Sequence, residues 1–347
     1  MKNNSRVHMK TNKKKRFKRN IIMFITTFFL VVGGVAAYFI YETVRAANEA
    51  YTEMDRGNKS KLREYEITMG KDPFSVLILG IEDYSSGGSN GRTDSMMVAT
   101  LNPDTQSMKL LSIPRDTRVY YPTLDRYSKI NHANAYGGKD MTIDRVEELL
   151  GIPIDYVVSV NFEGFKNIID IIGGVSVEVP FNFSEKSDES KKIIYFTEGD
   201  MNLDGEEALA YARMRKQDPR GDHGRSARQR QIMMAAVDQL ISPQNLLKID
   251  RISRELGQNI ETNIRVTDGL GLTRVYNDFD SNNIESISIK GSDQYIGGIS
   301  YFIPTEEGIA EVQSLLQSHL GMKSLTTSTS NSLDGSTTEA DTQTNSP

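Results

Sequence analysis

Ser75-Val76-Leu77-Ile78-Leu79-Gly80 is a short unbroken apolar run closed by glycine, and its reading decides the fold. A short continuous apolar run stopped by glycine reads as a buried strand. Two further runs follow, Met96-Met-Val-Ala-Thr-Leu101 and Met108-Lys-Leu-Leu-Ser-Ile113. They form a hairpin across Asn102-Pro-Asp-Thr-Gln106, a turn composition. Tyr156–Phe162 and Val175–Val179 read as strands, with helices at Thr142–Leu150 and Phe165–Ile172 and a loop at Lys129–Gly138. Strands alternating with helices indicate a mixed central sheet flanked by helices, of α/β or α+β class. Downstream, helices are expected at 244–257, 267–279 and 305–320, and strands near 284–290 and 299–303. No repeat of period 20–50 is visible.

Working outward, the two ends differ from this domain. Residues 1–20 carry nine Lys/Arg and no acid, and residues 21–41 carry no charge at all. About 20 apolar residues span a bilayer as a helix. The run continues past the small-residue site at Val35-Ala-Ala, which favours an uncleaved anchor over a signal peptide. The positive-inside rule then leaves residues 1–20 in the cytoplasm and the rest outside, a single-pass type II membrane protein. Residues 42–70 read as a polar spacer, 71–321 as the extracytoplasmic domain, and 322–347, rich in Ser and Thr, as a disordered tail.

Beyond residue 20, 32 Lys/Arg face 46 Asp/Glu, so the outer part is near −14. An acidic domain argues against nucleic acid as a partner, because that needs a broad basic surface. There are no cysteines, which excludes disulfides and thiolate metal sites. His132 and His223 are too few and scattered for a zinc site. An exported domain without disulfides suits a Gram-positive bacterium.

Against this acidity stands Tyr211-Ala-Arg-Met-Arg-Lys-Gln-Asp-Pro-Arg-Gly-Asp-His-Gly-Arg-Ser-Ala-Arg-Gln-Arg-Gln231, with six arginines and one lysine against Asp218 and Asp222. Guanidinium is planar, always charged and forks onto two oxygens, which suits phosphate or carboxylate. Asp204 and Glu207 form the capping box of a helix ending near Arg213. A second helix opens at about Arg225. Its inward stripe is Arg225, Arg228 and Gln229 at the first turn and apolar from Ile232 onward. A helix start carrying arginines above an apolar face is a preassembled anion site.

Three other polar clusters sit at strand ends, where open sheets place ligands. They are Glu82/Asp83, Arg92/Asp94 and Arg115/Asp116. Carboxylates together with arginines suggest a phosphoryl substrate with a hard divalent cation, Mg²⁺ or Mn²⁺. No Walker loop is present, so nucleotide phosphates are not indicated.

Leu77-Ile-Leu-Gly80, Gly91-Arg-Thr-Asp94, Ser112-Ile-Pro-Arg-Asp-Thr117, Lys129-Ile-Asn-His-Ala133, Tyr211-Ala-Arg-Met-Arg215 and Gly221-Asp-His-Gly-Arg-Ser-Ala-Arg-Gln-Arg230 resemble the LytR–CpsA–Psr family, in order over roughly residues 75–240. The resemblance implies transfer of an anionic glycopolymer, such as wall teichoic acid, from undecaprenyl pyrophosphate at the cytoplasmic membrane to peptidoglycan. The acceptor would be an N-acetylmuramic acid hydroxyl and the product a phosphodiester. It implies Asp94 as a metal ligand, with Glu82 or Asp83 as the second. It implies Arg92, Arg115, Arg213, Arg215, Arg225, Arg228 and Gln229 around the pyrophosphate, with Arg115, Asp116 and Asp222 as catalytic candidates. The proton acceptor stays open between Asp116 and Asp222. Two alternatives are a membrane-anchored binder or transcription attenuator without turnover, and a polyprenyl pyrophosphate hydrolase.

Overall fold

The structure is a computed structural model describing residues 59–81, 91–240, 259–265 and 283–322, with Tyr51, Met54, Arg56 and Gly57. The expected anchor 21–41, Glu82, Asp83, the helices at 244–257 and 267–279, and the tail beyond Met322 lie outside the described residues.

Strands in chain order are β1 (Phe74–Ile81), β2 (Thr93–Asn102), β3 (Ser107–Ser112), β4 (Arg118–Tyr121), β5 (Arg126–Lys129), β6 (Tyr156–Asn161) and β7 (Val175–Val179). They continue with β8 (Phe183–Lys186), β9 (Ile193–Phe196), β10 (Gly199–Leu203), β11 (Ile260–Thr262), β12 (Ile284–Ser288), β13 (Gly291–Ile296) and β14 (Ile299–Pro304). The described helices are α1 (Ala133–Leu150), α2 (Phe162–Ile172), α3 (Gly205–Arg213), α4 (Asp222–Leu240) and α5 (Glu306–His319).

The central sheet has six strands in the order β11-β6-β1-β2-β3-β12. It is mixed, as expected: β1 pairs antiparallel with β2 and parallel with β6, and β3 pairs antiparallel with β2 and parallel with β12. Each face of β1 is apolar because helices cover both sides. Leu77 and Leu79 meet Ile143, Val146 and Leu150 of α1 and Val312 and Leu316 of α5. Val76 and Ile78 share the opposite face with Met97, Met233 and Val237, the last two from α4. A further core joins α2, α3 and α4 to β7.

Three expectations need correction. Lys129–Gly138 is not a loop: a 3₁₀ turn at Ile130–His132 leads directly into α1. The glycines that suggested a loop mark a kink inside α1, where Gly137 and Gly138 leave helical geometry. The second arginine helix opens at Asp222 rather than near Arg225. The segment expected as a spacer is, in its described part, built into the domain. Met54 joins the core, Arg56 Nη1 donates to Glu147 at 2.8 Å, and Arg63 forks onto both Asp155 oxygens at 2.9 and 2.7 Å. Glu147 and Asp155 are buried, and a carboxylate taken out of water needs such partners.

The last helix anchors through His319, buried between Thr100 Oγ1 (2.8 Å from Nδ1) and Ser107 Oγ (2.9 Å from Nε2). Burial, aided by nearby Lys109 and opposed by Glu285, pushes its pKa down to about 4. In the unfolded chain a histidine titrates near 6.5, so between these values the unfolded state binds more protons. This contribution to stability is full above about pH 6.5 and is lost as pH falls through the folded pKa, to about 3 kcal/mol. Urea melts at pH 7 and pH 4.5 should show it, and His319→Gln should flatten that slope.

Candidate active site

The site lies where β1 and β6 end and β2 begins, beneath α2, α3 and the start of α4. Gly80 faces Ser95 across the β1–β2 ladder, but Ile81 faces Thr93. Asp94 is therefore the extra residue of a β-bulge. A bulge breaks the in-out alternation and re-aims a side chain. It places Asp94 at the mouth of a cavity of about 280 Å³. The interior of that cavity is apolar, with Ile78, Met97, Phe165, Leu209, Ile232 and Met233 in its walls. Its polar groups are few, chiefly Asp94, Ser95, Asn161, Arg213, Arg225 and Gln229.

Beside it runs an open polar groove of about 690 Å³ between the β8–β9 connection and the loop that follows α3. Lys186, Lys191, Arg213, Arg215, Lys216 and Arg225 line it against Glu185, Asp188 and Asp218, so this groove is cationic on an acidic domain. Arg213 and Arg225 belong to both spaces, which makes them the boundary between the dry cavity and the wet groove.

Local rules place these side chains. The expected capping box is formed: Asp204 Oδ1 accepts from the Glu207 amide at 2.9 Å, and Glu207 Oε2 accepts from the Asp204 amide at 3.1 Å. This fixes the start of α3 and puts Arg213 at its last turn. There Arg213 lies 5.0 Å from the Phe162 ring and donates to Asp188 at 2.7 Å. Gln229, two turns into α4, is 3.3 Å from Ser95 Oγ and so ties α4 to the bulge. Arg115 Nη1 donates to Asp94 Oδ1 at 2.7 Å, both side chains being about a quarter exposed (22% and 28%).

Asp94, Arg115, Arg213, Arg225 and Gln229 are thus brought together, and Arg215 faces the groove. Others are not. Arg228 shares a helix stripe with Arg225 but is 1% exposed and turned away from the cavity. It donates to the carbonyls of Tyr211 and Met214 and to Asp218, whose side chain is fully buried. Burial alone would raise the Asp218 pKa, but hydrogen bonds from the Arg220 amide and the Arg228 guanidinium hold it below the usual range. Arg228 thereby clamps the arginine loop from inside. Arg92 is exposed and lines neither space; its charge bears on His132 instead. Asp116 pairs with Lys129 at 2.8 Å and also lines neither space. Asp222 opens α4. Among the described residues no three His, Asp or Glu side chains converge on a metal position.

Asp188, Asp218, Ser95 and Phe162 were missed in the sequence. Only Asp218 had a signal, as one of two acids inside the arginine run.

The LytR_cpsA_psr family model matches residues 37–318. The chain belongs to the LytR_cpsA_psr family. Within it, the chain is 50% identical over 312 residues to TagV of Bacillus subtilis, a polyisoprenyl-teichoic acid–peptidoglycan teichoic acid transferase, covering 88% of this chain and 80% of that one. The crystal structure of B. subtilis TagV superposes with a TM-score of 0.66, covering 73% of this chain and 99% of that one. A further LytR-CPS2A-psr family protein, YwtF (TagT), carries a bound octaprenyl pyrophosphate lipid. It is 35% identical, with a TM-score of 0.61, and the match covers 78% of this chain and all of that one.

Proposed function

We propose that this chain transfers an anionic glycopolymer, of the teichoic acid kind, from a polyisoprenyl pyrophosphate carrier to peptidoglycan. One observation carries the reading: Arg213 and Arg225 stand between an apolar cavity and a cationic groove. A lipid-linked glycan has the same layout, with an apolar tail, a pyrophosphate and a polar head in that order. Its tail enters between Ile78, Phe165 and Met233. Its pyrophosphate meets Arg213, Arg225, Gln229 and Arg115, and its head lies along Arg215 and Lys191. The family relatives that act on polyisoprenyl-teichoic acid, and the one that holds octaprenyl pyrophosphate, support this reading.

The reaction follows from that layout. A hydroxyl of N-acetylmuramic acid attacks the glycan-side phosphorus in line. The bridging P–O bond breaks, a phosphodiester forms, polyisoprenyl monophosphate leaves, and the hydroxyl proton passes to a base. Phosphoryl transfer is mostly positioning and neutralisation of oxygen charge, and guanidinium groups preset at a partly dry mouth supply both. Mg²⁺ or Mn²⁺ would suit the Asp94 carboxylate, which uses one oxygen on Arg115, because such ions bind through one or two carboxylates and take further oxygens from phosphate. Asp94, with Glu82 or Asp83, would hold it, and it would neutralise phosphate oxygens. Residues 21–41 would anchor the chain with its domain outside the cell.

The experiment uses the full chain in liposomes with a lipid-linked glycan and a peptidoglycan oligomer. Arg225→Ala and Arg213→Ala each remove a charge-assisted contact. They should weaken lipid-pyrophosphate binding by roughly 10–150-fold, about 1.5–3 kcal/mol. Wild type that binds the lipid but yields neither transfer nor metal dependence would leave a binding module. Glycan phosphate released without any acceptor would mark a hydrolase.

A further inference from the structure

The β4–β5 hairpin carries a surface that neither cavity nor groove explains. Tyr127 is 51% exposed at its centre. In the hairpin register Tyr120 faces Tyr127 and Arg118 faces Lys129, so these four side chains share one face. The two tyrosine rings are 5.2 Å apart, and the Arg118 guanidinium lies 3.7 Å over the Tyr127 ring. The rings are therefore held in place before anything binds.

This face begins where the candidate site ends. Lys129 pairs with Asp116 at 2.8 Å, and the Asn131 amide donates to the Arg115 carbonyl at 3.2 Å. Arg118 opens β4 directly after the turn that carries Arg115 and Asp116, closed by the Thr117 amide donating to the Pro114 carbonyl at 2.9 Å. Its chemistry suits a saccharide. Sugar C–H faces pack on aromatic rings, while phenol and guanidinium rims meet hydroxyls and carboxylates. The stem-peptide carboxylates of peptidoglycan complement Arg118. The proposed donor's tail and head lie in the cavity and the groove on the Arg213 side. In an in-line displacement the attacking hydroxyl enters opposite the leaving group, away from the cavity.

We propose that the Arg118–Tyr120–Tyr127 face of the β4–β5 hairpin docks the acceptor glycan strand of peptidoglycan. This rests on the transferase reading above. Two measurements test it with the full chain in detergent micelles: cosedimentation with insoluble peptidoglycan stripped of teichoic acid, and transfer kinetics against a soluble peptidoglycan oligomer. Tyr120→Ala/Tyr127→Ala should lower sedimentation and raise the acceptor KM, each about 10-fold, with kcat and lipid affinity within twofold of wild type. Tyr120→Phe/Tyr127→Phe should restore most of the loss, and Arg118→Gln gives an independent intermediate effect should the alanine variant fold poorly. Wild-type sedimentation and acceptor KM in all three variants would overturn the proposal, as would a rise confined to the donor KM or wild type that does not sediment. Wild type that sediments through this face yet transfers nothing would overturn the transferase reading and leave the docking face standing.

Discussion

Asp94→Asn should keep lipid binding within a few-fold of wild type while lowering kcat by about 10²–10³-fold, the loss seen when one preset group is removed from a developing charge. The reasoning starts from the bulge. Asp94 is the extra residue between Thr93 and Ser95, so its side chain reaches the mouth whatever the ligand state. The carboxamide has the same shape and its oxygen can still accept from Arg115. Only the charge is lost. That charge does not bind the anionic lipid, so affinity changes little. It is the group that would hold a divalent cation against phosphate oxygens, so turnover suffers. EDTA should reproduce the defect in wild type and add little to Asp94→Asn. Single-turnover transfer beside equilibrium lipid binding makes the measurement; equal losses in both would mean that Asp94 only supports the architecture.

The second large effect concerns stability. Arg228→Met should destabilise the fold by about 3–5 kcal/mol, because it leaves the buried Asp218 charge without its main partner. For a domain of this size that is a fall in Tm of roughly 6–20 °C. Arg228 also closes the carbonyls of Tyr211 and Met214, so the loop carrying Arg215 loses its inner support. Adding Asp218→Asn should recover part of the loss, since the charge and not the shape is then unpaired. Thermal melts of the two variants decide this. A single variant with an unchanged Tm would return Arg228 to the ligand side.

Arg225 and Arg228 also show where sequence reasoning ends. Three-residue spacing put both on one stripe, and that was right. Which of them lines the cavity depends on Asp218, which the preceding loop folds back under the helix. Any Cβ at Gly224 would overlap that carboxylate, so the close approach is specific to this glycine. Such a contact leaves no periodic trace. The elements that were legible are those with a local cause: the apolar run of β1, the β2–β3 turn and the capping box of α3. The hairpins β4–β5, β8–β9 and β13–β14 were not read in full, because their strands are short and expose polar residues, with no sustained apolar alternation. The bulge at Asp94 was illegible for a different reason, since register belongs to two strands at once.

The cavity beneath α4 has a consequence for the protein's life outside catalysis. Ile232, Met233 and Val237 lie on the helix that also presents Arg225 and Gln229, so one helix serves as core, wall and gatepost. An apolar space of about 280 Å³ leaves those side chains facing no protein neighbour on one side. A prenyl chain entering it supplies the missing interior from outside the polypeptide. By mass action the occupied molecule is then the better-folded one. A carrier lipid of the proposed kind would act as a guest that completes the host, and resistance to protease should then rise with lipid occupancy.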